Sequence, residues 1–506
     1  MNRLIDNLLN RITMYRLVLY YLIFLLCIAF LLSIVNVFSF DPFALLLTVA
    51  FLLGVSVIVN RLFAQTFGVP ANVESVYITA LILALIISPI QSFNDLWFLG
   101  WAAILAMASK YILAIKRKHL FNPAAFAVAL TYFTINQSAS WWVGSGPMLV
   151  FVILGGLLVV RKLGRFDMVL SFLITALVTT WISDLFTGTS FLASTQNILV
   201  YSPLIFFAVI ILTEPLTTPP TRSLRIVYGA LVGFLFAPQF HIGAFFITPE
   251  VAILLGNIYS YLVSSKDKLV LKLKEKNRLA PDTMEFVFAA PRRFAFAPGQ
   301  YMEWTLGHPE ADSRGNRRYF TLASSPTEYN LRLGVKFYQQ SSTFKKALLA
   351  LNNNTEVVAA QLSGDFVLPK NSRQKCVFIA GGIGVTPFRS MIKYLLDTHQ
   401  RRPITLFYSA PAIDDFVYKD VFDRAQQELG IRTVYTVTSN RNVPPSWPGK
   451  VGRISPEMIR SVVSDYRSCV FYLSGSRNMV DSLKDTLHRL GVPNHQVKTD
   501  YFAGLA

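Results

Sequence analysis

The feature that most constrains this chain is where its positive charge falls between long apolar runs. Apolar windows cover residues 17–38, 42–60, 75–91, 95–115, 122–136, 144–160, 167–186, 196–213, 225–240 and 248–264. They make about ten candidate helices, several at the short end of what crosses a bilayer. The loops between them alternate. One set carries Arg3, Arg11 and Arg16; Arg61; Lys116, Arg117 and Lys118; Arg161, Lys162 and Arg165; Arg222 and Arg225; then Lys266 and Lys268. The intervening loops, at 39–41, 92–94, 137–143, 187–195 and 241–247, hold no Lys or Arg. Basic loops are retained on the cytoplasmic side. The pattern therefore predicts an integral protein of the cell (inner) membrane with an even number of spans and both termini in the cytoplasm.

Composition agrees. Hydrophobic residues make up 53%, with 40 Phe and a mean hydropathy of +0.45. The net charge of +18, from 47 Lys+Arg against 29 Asp+Glu, is explained by cytoplasmic loops without a nucleic-acid partner. The N-terminal "MNRLIDNLLNRITMYR" runs into the first window with no small-residue cleavage site, which predicts an uncleaved first span.

Cysteine and histidine usage narrows the chemistry. Cys27, Cys376 and Cys469 lie far apart with no CxxC, so no self-contained iron–sulfur or Cys-rich zinc site and no metal site is expected. Cys376 and Cys469 sit in apolar strand-like runs and read as core. A transmembrane haem needs paired axial histidines on facing helices. The membrane half offers only His119, in a basic loop, and His241, near an outer loop, so no haem is expected. Two loops stand out. "FNPAAFAVAL" (121–130) enters a span through Pro, and "IILTEPLTTPPTRSLR" (210–225) leaves one with Glu214 at its edge. Backbone breaks at membrane depth occur only where buried in protein or lining a cavity. Ordinary capped loops are the alternative.

After Lys266 the texture changes. "DKLVLKLKEK" alternates like a half-buried strand, and "TMEFVFAA", "QYMEWTL", "LRLGVKFY" and "GDFVLP" follow as short strands, predicting a small antiparallel barrel. From "KCVFIAGG" onward apolar strands alternate with helical stretches, the pattern of a parallel sheet with covering helices. "FIAGGIGVTPFRSMI" (378–392) reads strand, glycine turn, helix. Gly381, Gly382 and Gly384 let backbone approach a pyrophosphate at a helix N-terminus. In "RRYFTLASSP" (317–326), two arginines, two aromatic rings and a run of hydroxyls suit a ligand with phosphates and a conjugated ring.

On these motifs residues 266–506 resemble the ferredoxin–NADP reductase superfamily. Its arginine–any–tyrosine–serine/threonine flavin motif matches Arg318-Tyr319-Phe320-Thr321, followed by Leu322-Ala323-Ser324. The resemblance implies Arg318 on the FAD pyrophosphate, Phe320 stacked on the isoalloxazine and Thr321 near the reactive flavin nitrogen. In the second flavin segment, "KFYQQSSTFKKAL", Gln339 and Gln340 stand where glycines are common, while Ser342 and Thr343 can open a helix against phosphate. Lys336 belongs to the same cofactor-binding set. Gly381 to Pro387 matches GGxGxTP, implying Thr386 near the nicotinamide. "YLSGSRNMV" (472–480) places Ser474 where the family has a thiol, with Gly475 and Met479 after it, and "KTDYFAGLA" supplies Asp500, Phe502 and Gly504 as the acidic–x–aromatic–x–Gly ending. Thr321, Thr386, Ser474 and Phe502 are the implied catalytic residues. Ser439 and Arg441 are candidates for a ribose 2′-phosphate, and NADH and NADPH both stay open.

Residues from about 20 to 264 resemble the D subunit of the Rnf electron-transport complex and the B subunit of the sodium-pumping NADH:quinone reductase. The shared features are the helix number, Asn122-Pro123-Ala124-Ala125, and Thr213-Glu214-Pro215 where the relatives have Thr-Asp-Pro. This resemblance implies FMN or another flavin in the membrane domain, in some relatives esterified to a Thr in an Asp-x-x-Ser-Gly-Ala-Thr loop. Asp184 to Ser190 comes close, with Ser190 at the acceptor position. The loop falls two spans later than in the relatives, whose equivalent lies near "SWWVGSGP".

The expected fold is thus a multidomain membrane protein. An all-α polytopic bundle (1–264) precedes an antiparallel β-barrel FAD domain (265–372) and an α/β parallel-sheet NAD(P)H domain (373–506). The expected activity passes electrons from cytoplasmic NAD(P)H through FAD into the membrane domain, then to a quinone or an extracytoplasmic acceptor. The alternative is a subunit of an ion-translocating complex. Asp184, Glu214 and Glu250 near span ends, and Lys110 near the inner end of its helix, give pumping little support.

Overall fold

The structure is a computed structural model that describes residues 5, 9, 12–67, 73–115, 118–237, 241–242, 245–264, 268–308, 312, 316–339, 341–353, 355–439 and 443–502. The chain separates into two compact units, Met1–Lys266 and Asp267–Ala506.

In the first unit every apolar window contains a helix. These are α1 (Met14–Ile34), α2 (Pro42–Thr66), α3 (Val73–Ile86), α4 (Asp95–Ile112), α5 (Pro123–Ile135), α6 (Gly146–Leu163), α7 (Phe166–Thr187), α8 (Phe191–Val200), α9 (Leu204–Ile211), α10 (Arg222–Phe236) and α11 (Pro249–Val263). The starts follow local chemistry. Thr13 accepts from the Arg16 N–H, Asp41 from the Phe43 N–H and Asn122 from the Ala125 N–H, and prolines open α2, α5 and α11. Gly164 and Gly188 end α6 and α7 in the left-handed region, at φ 63° and 71°. Among the described residues α1, α2, α6 and α7 are long and apolar enough to cross a membrane. Helices α8 and α9, bent by 56°, make a fifth span if they count as one. The expectation of about ten spans is therefore met at the coarser level of a bundle with several membrane-length helices. Within α9, Phe207–Ile211 is π-helical and buried.

Helix α7 packs closely against α10. A Cβ on Gly229 would lie 2.4 Å from the Met168 carbonyl, and one on Gly233 2.4 Å from the Phe172 carbonyl. Glycines four residues apart let the two backbones touch.

The second unit begins with strands β1 (Leu269–Ala280), β2 (Thr283–Ala289), β3 (Tyr301–Thr305), β4 (Arg317–Thr321) and β5 (Leu331–Lys336), helix α12 (Thr343–Ala350) and β6 (Glu356–Ser363). They form a six-stranded antiparallel sheet in the order β4-β3-β6-β1-β2-β5. Leu269, Leu271 and Leu273 alternate into a core with Phe286, Phe288 and Trp304. The expected barrel is seen as this sheet, with β4 and β5 at its ends.

The chain then alternates β7 (Cys376–Gly381), α13 (Thr386–Asp397), β8 (Ile404–Ala410), α14 (Lys419–Leu429), β9 (Arg432–Val437), β10 (Lys450–Val451), α15 (Pro456–Val462), β11 (Val470–Ser476), α16 (Arg477–Arg489) and β12 (Val497–Phe502). All pairings are parallel, in the order β10-β9-β8-β7-β11-β12. Strand β7 is buried on both faces, as a parallel sheet covered by helices requires. Cys376 lies within it, and burial pushes its thiol up to about 12, the state of an inert core residue. Because β8 and β11 flank β7 on opposite sides, the winding direction reverses there. Ligands of open α/β sheets bind outside the strand ends at such a reversal.

Candidate active site

The carboxyl ends of β7 and β11 carry the predicted nucleotide residues. Gly381 ends β7, and Gly382 takes φ 51°, which favours glycine. The turn continues to Val385 before α13 starts at Thr386 with Pro387 in its first turn. A Cβ on Gly384 would lie 2.5 Å from the Ser474 carbonyl and 2.6 Å from the Gly475 N. One on Gly381 would lie 2.1 Å from Met479 Sδ. Gly381, Gly384, Ser474, Gly475 and Met479 therefore form one tightly packed floor. Thr386 is buried, its hydroxyl donating to the Ile383 carbonyl at 3.1 Å.

Ser474 pairs in register with Ala380 on one side and Asp500 on the other. The Ser474 hydroxyl and Asp500 Oδ2 are enclosed without a protein hydrogen-bond partner among the described residues. Asp500 keeps some solvent access as a residue, yet burial around its carboxyl pushes it up to about 6. The Thr321 hydroxyl, reaching from the antiparallel sheet, lies near that carboxyl and opposes the rise. Gly334 of β5 brings the sheets close on this side, since a Cβ there would lie 2.9 Å from Thr386 Cγ2. Thr321, Thr386, Ser474 and Asp500 thus converge on one junction. Phe502 is placed by its backbone, paired with Ser476.

The predicted flavin residues gather along β4 and the start of α12. Arg318 Nη2 donates to Asp312 Oδ1 at 3.0 Å, and its guanidinium carbon lies 5.2 Å from the centre of the Phe344 ring. Phe320 packs against the same ring at 5.9 Å. Ser342 caps α12 by accepting from the Lys345 N–H. The Thr343 hydroxyl accepts from the Asp312 N–H at 3.0 Å and lies 3.1 Å from His308 Nε2. Lys345 donates to the Lys336 carbonyl at 2.8 Å. Tyr319 points to the other face of the strand, donating to Glu303 at 2.8 Å. Ser324 is fully buried; its hydroxyl accepts from the Arg332 N–H and its carbonyl from the Ser390 hydroxyl of α13, which puts it in the seam between the two sheets. Gln339 is described and Gln340 is not. Ser439 follows β9, its N–H donating to the Pro411 carbonyl, whereas Arg441 and Gly504 lie outside the described residues.

In the helical unit the structure brings together residues that the sequence placed near span ends. Glu214 Oε2 accepts from Asn122 Nδ2 at 2.9 Å and from Thr217 at 3.2 Å. Asn257 Oδ1 accepts from the Asn122 N–H, and Asn257 Nδ2 donates to the Tyr228 hydroxyl at 3.0 Å. Lys110 is buried on Ser75, 2.9 Å from its carbonyl. Glu250 is buried and accepts from Trp141 Nε1 at 2.8 Å. Asn257, Tyr228 and Trp141 carried no sequence signal, because an Asn, a Tyr or a Trp in an apolar run reads as filler until a partner is seen. Ser190 is exposed at the start of α8 and makes no capping bond, while the nearby Asp184 is buried and accepts from Thr189 at 2.7 Å. Ser145, in the alternative "SWWVGSGP" loop, has an enclosed hydroxyl without a partner among the described residues. Among the described residues no group of three or more His, Cys, Asp or Glu is arranged to hold a metal ion.

Residues 378–485 match the oxidoreductase NAD-binding domain family, and residues 142–268 match the NQR2, RnfD, RnfE family. The chain is 24% identical over 217 residues to a flavohemoprotein of Oceanobacillus iheyensis, covering 42% of this chain and 52% of that one. It is 27% identical over 247 residues to an NADH-cytochrome b5 reductase 1 of Emericella nidulans, covering 45% and 78%. It is 28% identical over 200 residues to one component of the Na(+)-translocating NADH-quinone reductase of Yersinia pestis, covering 37% and 49%. The chain spans about half the length of the first curated relatives it matches, 52% and 54%. One chain thus joins a segment of the NQR2, RnfD, RnfE family to an oxidoreductase NAD-binding domain.

Proposed function

We propose that the protein is a membrane-bound NAD(P)H-dependent flavin oxidoreductase. Its C-terminal unit takes a hydride from NADH or NADPH onto FAD, and electrons pass into the helical unit and on to a quinone or an extracytoplasmic acceptor. The observation that carries this reading is the junction at the sheet reversal, where Ser474 and Asp500 hold enclosed polar atoms without partners among the described residues and Thr321 faces them from the other sheet. Such atoms fit an amide-bearing ring from one side and a flavin edge from the other.

FAD supplies the redox chemistry, accepting a hydride and releasing single electrons. The chain's residues bind, orient and exclude water. Arg318, Ser342 and Thr343 hold the pyrophosphate, and Phe320 covers the ring. Ser324 and Lys336 frame the flavin side, and Tyr319 braces β4 from its other face through Glu303. The turn at Gly381, Gly382 and Gly384 receives the nucleotide phosphates, with Gly475 and Met479 as its floor. Thr386 and Pro387 orient the nicotinamide, and Ser474 and Phe502 close over the reacting face. Ser439 and Arg441 are the proposed contacts to a 2′-phosphate.

The finer architecture belongs to the same reading. It comprises ten spans over 1–264, a closed FAD barrel over 265–372, a nucleotide domain over 373–506, and both termini in the cytoplasm with the reductase. Loop charge supports the orientation. A haem-free route rests on His119 and His241 falling at opposite ends of the spans. A flavin in the helical unit, FMN or another, is supported by the match of residues 142–268, with Ser190 as the proposed attachment residue.

A second reading, a subunit of an ion-translocating electron-transport complex, is favoured by one observation. Asp184, Glu250 and Lys110 are buried in the helical unit and Glu214 is half-buried, and enclosed ionisable groups mark ion or proton routes in membrane proteins.

The test is the absorbance spectrum and extracted-cofactor count of the purified protein, followed by NAD(P)H oxidation with an artificial acceptor. One flavin supports direct quinone reduction, and two or more support a transmembrane wire. No turnover with FAD bound overturns the assignment. A fluorescent flavin band on a denaturing gel that disappears in Ser190→Ala supports Ser190.

A further inference from the structure

Just past each cofactor motif, a side chain crosses the seam between the two sheets. Ala323 and Ser324 follow Thr321, and Arg389 and Ser390 follow Thr386 in the first turn of α13. Arg389 is 5% exposed. Its Nη1 donates to the Ala323 carbonyl at 2.9 Å, and its guanidinium forks onto Glu328, with Nη2 at 3.0 Å from Oε1 and Nη1 on Oε2. The Ser390 hydroxyl donates to the Ser324 carbonyl at 2.6 Å. Glu328 is steadied from its own side. Its Oε2 accepts from the Ser325 N–H at 2.7 Å, and its Oε1 from Arg332 Nε at 3.1 Å. Burial would raise the Glu328 carboxyl, but Arg389, the Ser325 N–H and Arg332 together outweigh it and hold it below the usual range.

Adhesion alone does not call for this arrangement, because a buried ion pair can often be replaced by apolar packing at little cost in stability. What a two-pronged guanidinium adds is a defined distance and angle. The backbone it defines lies beside Thr321 and Thr386, the two residues proposed to face each other across the flavin and the nicotinamide.

We infer that the Arg389–Glu328 pair is a positioning device that sets the nicotinamide turn against the flavin strand and so fixes the hydride-transfer distance. This rests on the reductase reading above. Neither residue touches a cofactor, and both act through the backbone that they hold. A displacement of about 1 Å is worth about 100-fold in rate.

The experiment uses the full chain with FAD bound and compares wild type with Arg389→Ala, Arg389→Lys and Glu328→Gln. Flavin reduction by NADH and by NADPH is followed anaerobically in a stopped-flow instrument, with reduction by dithionite as the nucleotide-independent control. Arg389→Ala and Glu328→Gln are expected to keep their FAD and their dithionite reduction. At saturating nucleotide their flavin reduction should slow by at least about tenfold, with KM moved much less. Arg389→Lys, which keeps the charge and loses the fork, should fall between. Fully flavinated Arg389→Ala with the wild-type rate overturns the inference. So does a rate loss that merely tracks loss of FAD in all three variants, which would assign the pair to stability. A wild-type protein that binds FAD and is reduced by neither nucleotide overturns the reductase reading itself, and this inference falls with it.

Discussion

The hydroxyl of Thr321, the last residue of β4, lies close enough to Asp500, in the last strand of the parallel sheet, to favour its charged form. These residues are far apart in sequence and come from different sheets, so the contact exists only once both have docked. It also places an ionisable group at the proposed site of hydride transfer.

That group gives a pH prediction. Burial raises Asp500 from 3.8 to about 6 in the folded protein. An acid raised on folding costs nothing below its unfolded value. The cost appears as pH climbs from near 3.8 and is complete above about 6. Asp500→Asn cannot ionise, so it should gain stability over wild type at pH 8 and none at pH 3.5, by at most about 3 kcal/mol. Thermal unfolding at several pH values checks the sign. The flavin reduction rate should change through pH 6 in wild type and stay flat in the variant.

Arg318 should decide flavin retention. Its guanidinium lies over Phe344, beside the start of α12, and it bonds Asp312. A charge-assisted hydrogen bond is worth about 1.5–3 kcal/mol, so Arg318→Ala should bind FAD roughly 10- to 100-fold more weakly. The flavin-to-protein absorbance ratio after gel filtration measures this. A fully flavinated variant means the pyrophosphate sits elsewhere.

Gly384 separates the two half-sites. A methyl group there would meet the Ser474 carbonyl and Gly475 N, both backbone atoms that cannot rotate away. Gly384→Ala should therefore push β11 from the turn at a cost of about 1–3 kcal/mol. Reduction by NAD(P)H should fall sharply while FAD content holds. Equal loss of both would mean the whole unit is disturbed rather than the nucleotide floor.

How legible the molecule was depended on the range of the interaction. Periodicity and punctuation are local, so the helix in each apolar window, the alternation of β1 and the glycine turn after β7 could all be read from neighbouring residues. The gathering of Arg318, Phe320 and Thr343 followed from a motif and a helix start. The clamp was not legible. Glu328 lies in a polar turn, "SSPTEYN", that reads as solvated loop, and Arg389 reads as the polar face of an amphipathic helix. Only the docking of the two sheets turns them into a buried pair. Gly229 and Gly233 were silent for a similar reason, because glycine in an apolar run shows its use only when a neighbouring backbone arrives.

Lys110 and Glu214, opposite charges that the sequence placed near helix ends, prove to be buried and half-buried, and their hydrogen bonds go to different partners. Lys110 bonds Ser75, and Glu214 bonds Asn122 and Thr217. Removing one charge from such a pair leaves the other buried without compensation, which typically costs about 3–5 kcal/mol, whereas removing both can be nearly neutral. Lys110→Met and Glu214→Gln should each lower the unfolding midpoint of the detergent-solubilised protein clearly. The double variant should lose less than the sum of the two. Strictly additive losses would mean that Asn122, Thr217 and Ser75 solvate the two charges separately, and that Lys110 is not the counter-charge of Glu214.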